Sequence, residues 1–166
     1  MKPRAWILPL ILCLTTVGCD RLTKKLAVNH LAGAPPQSYL KNTIRLQYAE
    51  NSGAFLSLGA ELPEGIRTAI LTFGVAVLLI VVAILAIRRR WTGVPLSGVA
   101  LMWAGGVSNL IDRAFNGSVV DFLNVGIGSL RTGIFNVADV AVMLGAFLVV
   151  FGDVKTEGIR SSSSAP

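Results

Sequence analysis

Four apolar runs organise the chain: Ala5 to about Leu22, Thr68 to Ile87, Val94 to Ile111 and Ile134 to Gly152. Each approaches the roughly 20 residues that an α-helix needs to cross a hydrocarbon core, and each is read as a transmembrane helix. A long polar interval, Arg21 to Arg67, separates the first two, while "RRRWTG" and Asp112 to Gly133 separate the others. Inside the long interval, "YLKNTIRLQYAENSGAF" alternates and carries β-branched residues before a glycine at Gly53, the pattern of short strands. "LPEGIR" at Leu62 to Arg67 reads as entry into the second span. The tail "DVKTEGIRSSSSAP" has no apolar period and is expected to be disordered. One membrane-embedded domain over residues 1–152 and a cytoplasmic tail over 153–166 follow.

Composition supports a lipid environment. Of 166 residues, 53% are hydrophobic and 14% charged, and the mean hydropathy is +0.67, well above an ordinary globular domain. Arg88, Arg89 and Arg90 form the densest positive cluster and place the connection between spans two and three in the cytoplasm, which puts both termini there as well. The net charge of +6 then reflects orientation and anionic lipid headgroups, and no basic aromatic surface suggests nucleic acid.

With four spans, Asp20, Glu50, Asn51, Asn109, Asp112, Arg113, Asp121, Asn136 and Asp139 share one membrane face, whichever way the chain is oriented. Charge near hydrocarbon costs at least ~2.5 kcal/mol per residue at the centre of a span, so a gathering of this kind points to a site. "NLID" at Asn109 to Asp112 and "NVAD" at Asn136 to Asp139 both place an amide one helical turn from a carboxylate, where it can hold the carboxylate by hydrogen bonding; helix–helix contact and capping are the structural alternatives. Asp112 is followed by Arg113, its expected partner, and Asp20 has Arg21 beside it and Lys24 one turn on. These two are read as ionised and positional. Asp121 and Asp139 have no cation near them in sequence and, if folded together, would share one proton, the ionised member taking a proton from water and the protonated one polarising a carbonyl. Taken alone, two such aspartates fit an ion or proton pathway better than a hydrolase.

Five ordered blocks carry a resemblance over Asp20 to Phe151: "DRLTK" at Asp20, "NSGAF" at Asn51, "GGVSNLIDR" at Gly105, "VVDF" at Val119 and "FNVAD" at Phe135. The chain resembles the lipoprotein signal peptidases, the type II signal peptidases of the bacterial inner membrane. That resemblance implies an all-α polytopic fold of four transmembrane helices with a small extracytoplasmic β-cradle at about residues 39–58. It implies an aspartyl endopeptidase with Asp121 and Asp139 as catalytic pair and Asp20, Asn51, Asn109, Asp112, Arg113 and Asn136 as supporting or substrate-binding positions. The implied substrate is a diacylglyceryl-modified prolipoprotein, cut just before the lipidated cysteine at the outer face of the inner membrane. Membrane lipids are the other expected partners, and a monomer without nucleic acid is expected.

No cofactor is expected. His30 is the only histidine, and Cys13 and Cys19 lie six apart in an apolar helix, too few parts for a zinc site or a histidine triad. Three weaker readings compete. Cys19 ends a stretch resembling a lipoprotein signal and could itself be lipidated, although Thr16 stands where leucine is preferred. The aspartates could serve a small ion- or proton-coupled transporter. Ser52 or Ser108 with Lys24 could form a serine–lysine protease.

Overall fold

The computed structural model describes residues 3–53, 63, 66 and 70–163, with backbone alone at 3, 71 and 153–163. After a 3-10 turn at Pro3–Trp6, helix α1 runs from Ile7–Leu31, followed by strands β1 (Gln37–Tyr39) and β2 (Ile44–Asn51). A π-helical turn at Ile70–Gly74 leads into α2 (Val75–Arg88), then α3 (Val94–Asn116), strands β3 (Val119–Ile127) and β4 (Leu130–Arg131), and α4 (Val137–Ser163).

Helix α3 is the hub. Pro95 in its first turn suits a position whose N–H has no helical partner, and Gly117 ends it with a φ of +73°, a left-handed cap that glycine adopts without strain. Its burial continues around the helix at Leu96, Val99, Ala100, Leu101, Ala104, Ser108, Asn109 and Asp112. The other helices are buried on one side only. Leu10 and Leu14 of α1, Val77 and Ile80 of α2, and Phe147 and Val150 of α4 are all more than half exposed. A ring of apolar side chains facing outward fits hydrocarbon and would be costly in water. By length and hydropathy, Arg4–Leu31 and Val94–Asn116 suffice to cross a membrane, whereas Thr72–Arg88 and Val137–Gly152 are shorter apolar helices.

Small residues let α3 and α4 approach closely. A Cβ on Gly98 would lie 2.6 Å from the Gly145 carbonyl oxygen, one on Gly145 would lie 2.5 Å from that of Gly98, and one on Gly105 would collide with the Ala138 carbonyl. Gly106 faces Leu79 of α2, 2.9 Å from a would-be Cβ. The glycines are therefore packing surfaces, and Gly105 sets how near α3 comes to the first turn of α4.

Three elements differ from the sequence expectation. Helix α1 continues to Leu31, about two turns beyond the apolar run, because the spacing of Asp20 and Lys24 turns both charges toward α3, where Lys24 ion-pairs with Asp20 and Asp112; the chain need not leave the helix to solvate them. The sheet is larger than the expected cradle and the all-α label does not hold: four antiparallel strands run in the order β1-β2-β3-β4, half of them from the connection after α3. The β-branched and aromatic residues of "VVDFLNVGI" carry that strand signal. Residues 54–58 of the expected cradle lie outside the described residues, as does most of "LPEGIR". Finally, α4 remains helical through Ser163, where the tail was expected to be disordered; an existing helix propagates at little cost per residue once nucleated.

Gly105→Ala should lower stability by ~1–3 kcal/mol by forcing α3 and α4 apart. Gly18→Ala, whose Cβ would meet nothing within 4 Å, should be neutral or stabilising. Thermal melts of both variants check the contrast.

Candidate active site

The site forms where the end of α3, the middle of β3 and the first turn of α4 converge. Phe135, the residue before the α4 cap, pairs with β3: its N–H donates to Leu123 O at 2.9 Å, and its carbonyl accepts from the N–H groups of Phe122 and Leu123 at 3.1 and 2.9 Å. That bridge fixes the start of α4 against the strand that carries Asp121. Asn136 and Asp139 then form a reciprocal cap, Asp139 N–H donating to Asn136 Oδ1 at 3.0 Å and Asn136 N–H to Asp139 Oδ2 at 3.2 Å. Asp20 reaches across from α1 to accept the Ala138 N–H on Oδ1 at 2.9 Å.

Amide polarity decides what faces the two carboxylates. Asn136 Oδ1 is occupied by a backbone N–H, so its Nδ2 points away, donating to Asp121 Oδ1 at 2.6 Å. Asn51 Oδ1 accepts the Gly53 N–H at 2.9 Å, and its Nδ2 donates to Asp121 Oδ2 at 2.8 Å. Asn109 Oδ1 accepts from the Lys24 ammonium at 2.8 Å, and its Nδ2 donates to Asp139 Oδ1 at 2.9 Å. A backbone N–H and an ammonium can only donate. Each of the three amides is thus held with its NH₂ toward a carboxylate, without choice of flip.

Asp121 is 2% exposed and Asn136 1%. Burial pushes the Asp121 carboxyl above its ordinary range, against the hydrogen bonds from Asn51 and Asn136 and the positive charges of Lys24 and Arg113. The expectation that no cation serves this aspartate held only along the sequence; folding brings two within electrostatic reach.

A second cluster lies directly behind. Lys24 Nζ is 2.7 Å from both Asp20 Oδ2 and Asp112 Oδ2, Arg21 Nη1 pairs with Asp112 Oδ1, and Ser108 Oγ donates to Asp20 Oδ2 at 2.7 Å. Asp112 therefore does not use Arg113, the partner expected from adjacency, because successive residues on a helix point about 100° apart. Arg113 instead donates through Nη2 to Gly53 O at 2.6 Å, tying α3 to the turn after β2. Its Nε is buried without an acceptor among the described residues.

All eight candidate residues of the sequence reading converge here. Ser108 was visible only as part of a serine–lysine alternative, and Lys24 there and as a cation one turn from Asp20; the structure gives both to Asp20. The usable signal for Lys24 was its i,i+4 spacing from Asp20. Gly53 contributes through its backbone, which no side-chain pattern reports. Cys13 donates to Ala100 O at 3.3 Å, and Cys19 is exposed on α1.

A family model for signal peptidase (SPase) II matches residues 12–154. This chain belongs to the signal peptidase II family. A lipoprotein signal peptidase of Chlorobium phaeobacteroides is 34% identical over 140 residues, covering 79% of this chain and 80% of that protein. One from Streptococcus pneumoniae is 30% identical over 163 residues, covering 95% and 97%. The fold matches a solved bacterial membrane enzyme with a TM-score of 0.76 at 20% identity, over 95% of this chain and 91% of that one. A second solved bacterial membrane enzyme gives 0.75 at 21% identity, over 89% and 92%. Family membership makes the chain a peptidase, and its outward apolar helix faces accord with a membrane protein.

For this peptidase the raised Asp121 carboxyl has a measurable consequence. A carboxyl that binds its proton more tightly when folded contributes stability that is complete below the unfolded value of 3.8 and lost as pH rises through the folded value. Asp121→Asn removes that loss. The melting-temperature difference, variant minus parent, should therefore move in favour of the variant between pH 4 and pH 7.5; a difference independent of pH would contradict the burial assignment.

Proposed function

We propose that the protein is an aspartyl endopeptidase of the bacterial inner membrane that removes the signal peptide from diacylglyceryl-modified prolipoproteins, cutting just before the lipidated cysteine. The observation that carries this reading is the convergence of Asp121 and Asp139 under three amides of fixed polarity, in a chain of the signal peptidase II family. The names of the curated relatives supply the class of substrate.

In the reaction, one aspartate is ionised and one protonated. The ionised carboxylate takes a proton from water as the water oxygen attacks the scissile carbonyl, and the protonated one donates toward the carbonyl oxygen; the tetrahedral intermediate then collapses as a proton passes to the leaving amide nitrogen. The pair titrates as a unit. Asn51, Asn109 and Asn136 hold the carboxylates in place, Asp20 and Asp112 hold the helices, and Arg113 contributes a buried Nε that a substrate carbonyl could satisfy. The aspartates supply both acid and base, so no cofactor is needed.

The dense positive charge of Arg88 to Arg90 supports a cytoplasmic position for that connection, and a reading of four spans with both termini cytoplasmic puts the chemistry at the outer face. The enzyme works there as a monomer on a substrate held in the same membrane. Diacylglyceryl chains anchored beside the site limit the depth of the scissile bond, a positioning effect that scales with buried chain at ~0.8 kcal/mol per CH₂.

Purified protein should cleave a lipidated precursor with a kcat/KM orders of magnitude above that for the unlipidated precursor in the same nanodisc, and Asp121→Asn or Asp139→Asn should each abolish cleavage while the protein still inserts. Equal cleavage of both precursors would mean a general intramembrane protease. Near-normal turnover by either variant would remove that residue from the pair.

A further inference from the structure

The free end of the sheet carries an apolar tip at odds with its conformation. The β1–β2 connection passes through Leu40, Lys41 and Asn42 with φ of +51°, +52° and +67°, three successive residues in the left-handed region, where leucine and lysine are disfavoured. Leu40 is also 72% exposed. The turn is nonetheless built: Asn42 Oδ1 accepts from Ser38 Oγ at 3.1 Å and Arg45 Nε at 2.6 Å, and Arg131 Nη1 donates to Asn42 O at 2.6 Å.

Beside it is the β3–β4 hairpin. Gly126 N–H donates to Thr43 O at 2.9 Å, which joins the two tips, and Gly128, at φ +59°, turns the chain between Ile127 and Leu130. Those two side chains are 80% and 83% exposed. Three large aliphatic side chains therefore stand bare on two adjoining hairpins, with exposed Lys41 among them and Arg45 and Arg131 beneath. The strain shows that the turn is held in place to present this tip, and the exposure of its aliphatic side chains is unfavourable in water and is removed when an apolar surface covers them.

We propose that this tip is a membrane anchor: Leu40, Ile127 and Leu130 enter the acyl-chain boundary of the leaflet on the sheet's side, with Lys41 at the level of anionic phosphates. The inference rests on the membrane reading of the chain. Three observations favour a bilayer as the occupant. The sheet springs from the end of α3, where Phe115 is 83% exposed, so foot and tip both present apolar side chains, as a sheet lying along the interface requires. The charge at the tip is wholly basic, complementary to anionic headgroups. An aliphatic tip with a basic rim is the composition of interfacial anchors. The functional consequence follows from β3, which carries Asp121 six residues from Ile127, roughly 20 Å along a strand. Anchoring the tip fixes the tilt of that strand, and with it the depth at which Asp121 meets a membrane-held substrate.

The test uses the full chain with Cys13→Ala and Cys19→Ala, Leu130→Cys labelled with an environment-sensitive fluorophore, in nanodiscs of phosphatidylcholine with and without phosphatidylglycerol. Blue-shifted emission is expected, quenched more by nitroxide on the upper acyl chain than by a water-soluble quencher, and deeper with phosphatidylglycerol unless Lys41→Gln is present. Emission typical of water would overturn the proposal, as would a blue shift insensitive to lipid nitroxide, which would indicate contact with protein, including a second copy. Leu40→Asn separates anchoring from folding, since asparagine tolerates the left-handed turn. Its melting temperature in detergent should hold or rise while nanodisc quenching falls; a fall in melting temperature with quenching unchanged would assign Leu40 to folding and refute its place in the anchor. The depth reading needs no catalysis, so it fails or succeeds independently of the proposed activity.

Discussion

Everything near the site leans on one buried ammonium. Lys24, 5% exposed, sits between Asp20 and Asp112 at 2.7 Å from each, and Arg21 balances the second carboxylate, so two anions and two cations close a neutral cluster. Charges this deep survive only when paired and hydrogen-bonded, and removing one partner typically costs 3–5 kcal/mol. The cluster also joins elements that have few other polar contacts. Asp20 caps the Ala138 N–H of α4, Asp112 and Ser108 belong to α3, and Lys24 and Arg21 to α1. Charge balance in α1 thereby fixes where two other helices stand.

The third partner of Lys24 extends this from packing to chemistry. By donating to Asn109 Oδ1, the ammonium forces the Asn109 NH₂ toward Asp139. Two backbone N–H groups do the same for Asn51 and Asn136. Orientation is set by the donor inventory and not by a balance of similar energies, which is how a site in low dielectric can keep two carboxylates in a fixed hydrogen-bonding frame. The close α3–α4 approach at Gly105 and the Phe135 bridge to β3 supply the remaining geometry.

Much of this was readable from residue order. The apolar runs located four helices, and the candidate residues expected to lie together do converge on one cluster. Helical spacing tied Asp20 to Lys24. Adjacency failed where spacing succeeded: Asp112 and Arg113 are neighbours in sequence but diverge around the helix, and Asp112 finds its cations on α1, 91 and 88 residues away. The two Asn-x-x-Asp motifs look alike yet differ in use. At Asn136 it is a reciprocal helix cap; at Asn109 and Asp112, mid-helix, both side chains take hydrogen bonds from Lys24. Local spacing is common to both, and only tertiary context separates them. The second half of the sheet was missed because a strand holding an aspartate between two membrane helices reads as connection when spans dominate the pattern.

Lys24 is expected to act on the site through Asn109 and not only by holding the fold. Comparing Lys24→Met with the double variant Lys24→Met/Asp112→Asn tests it most directly, by melting temperature and by cleavage of a lipidated precursor. The single variant leaves buried negative charge unbalanced and should lose both stability and cleavage. The double variant restores balance, leaving Asp20 with its Ser108 and Ala138 donors, and should regain much of the melting temperature while cleavage stays at least ~100-fold down, since Asn109 Oδ1 then keeps only the long 3.4 Å bond from Asn136 Nδ2 in place of the 2.8 Å bond from the ammonium. Recovery of cleavage together with melting temperature would contradict the account and reduce Lys24 to a structural charge.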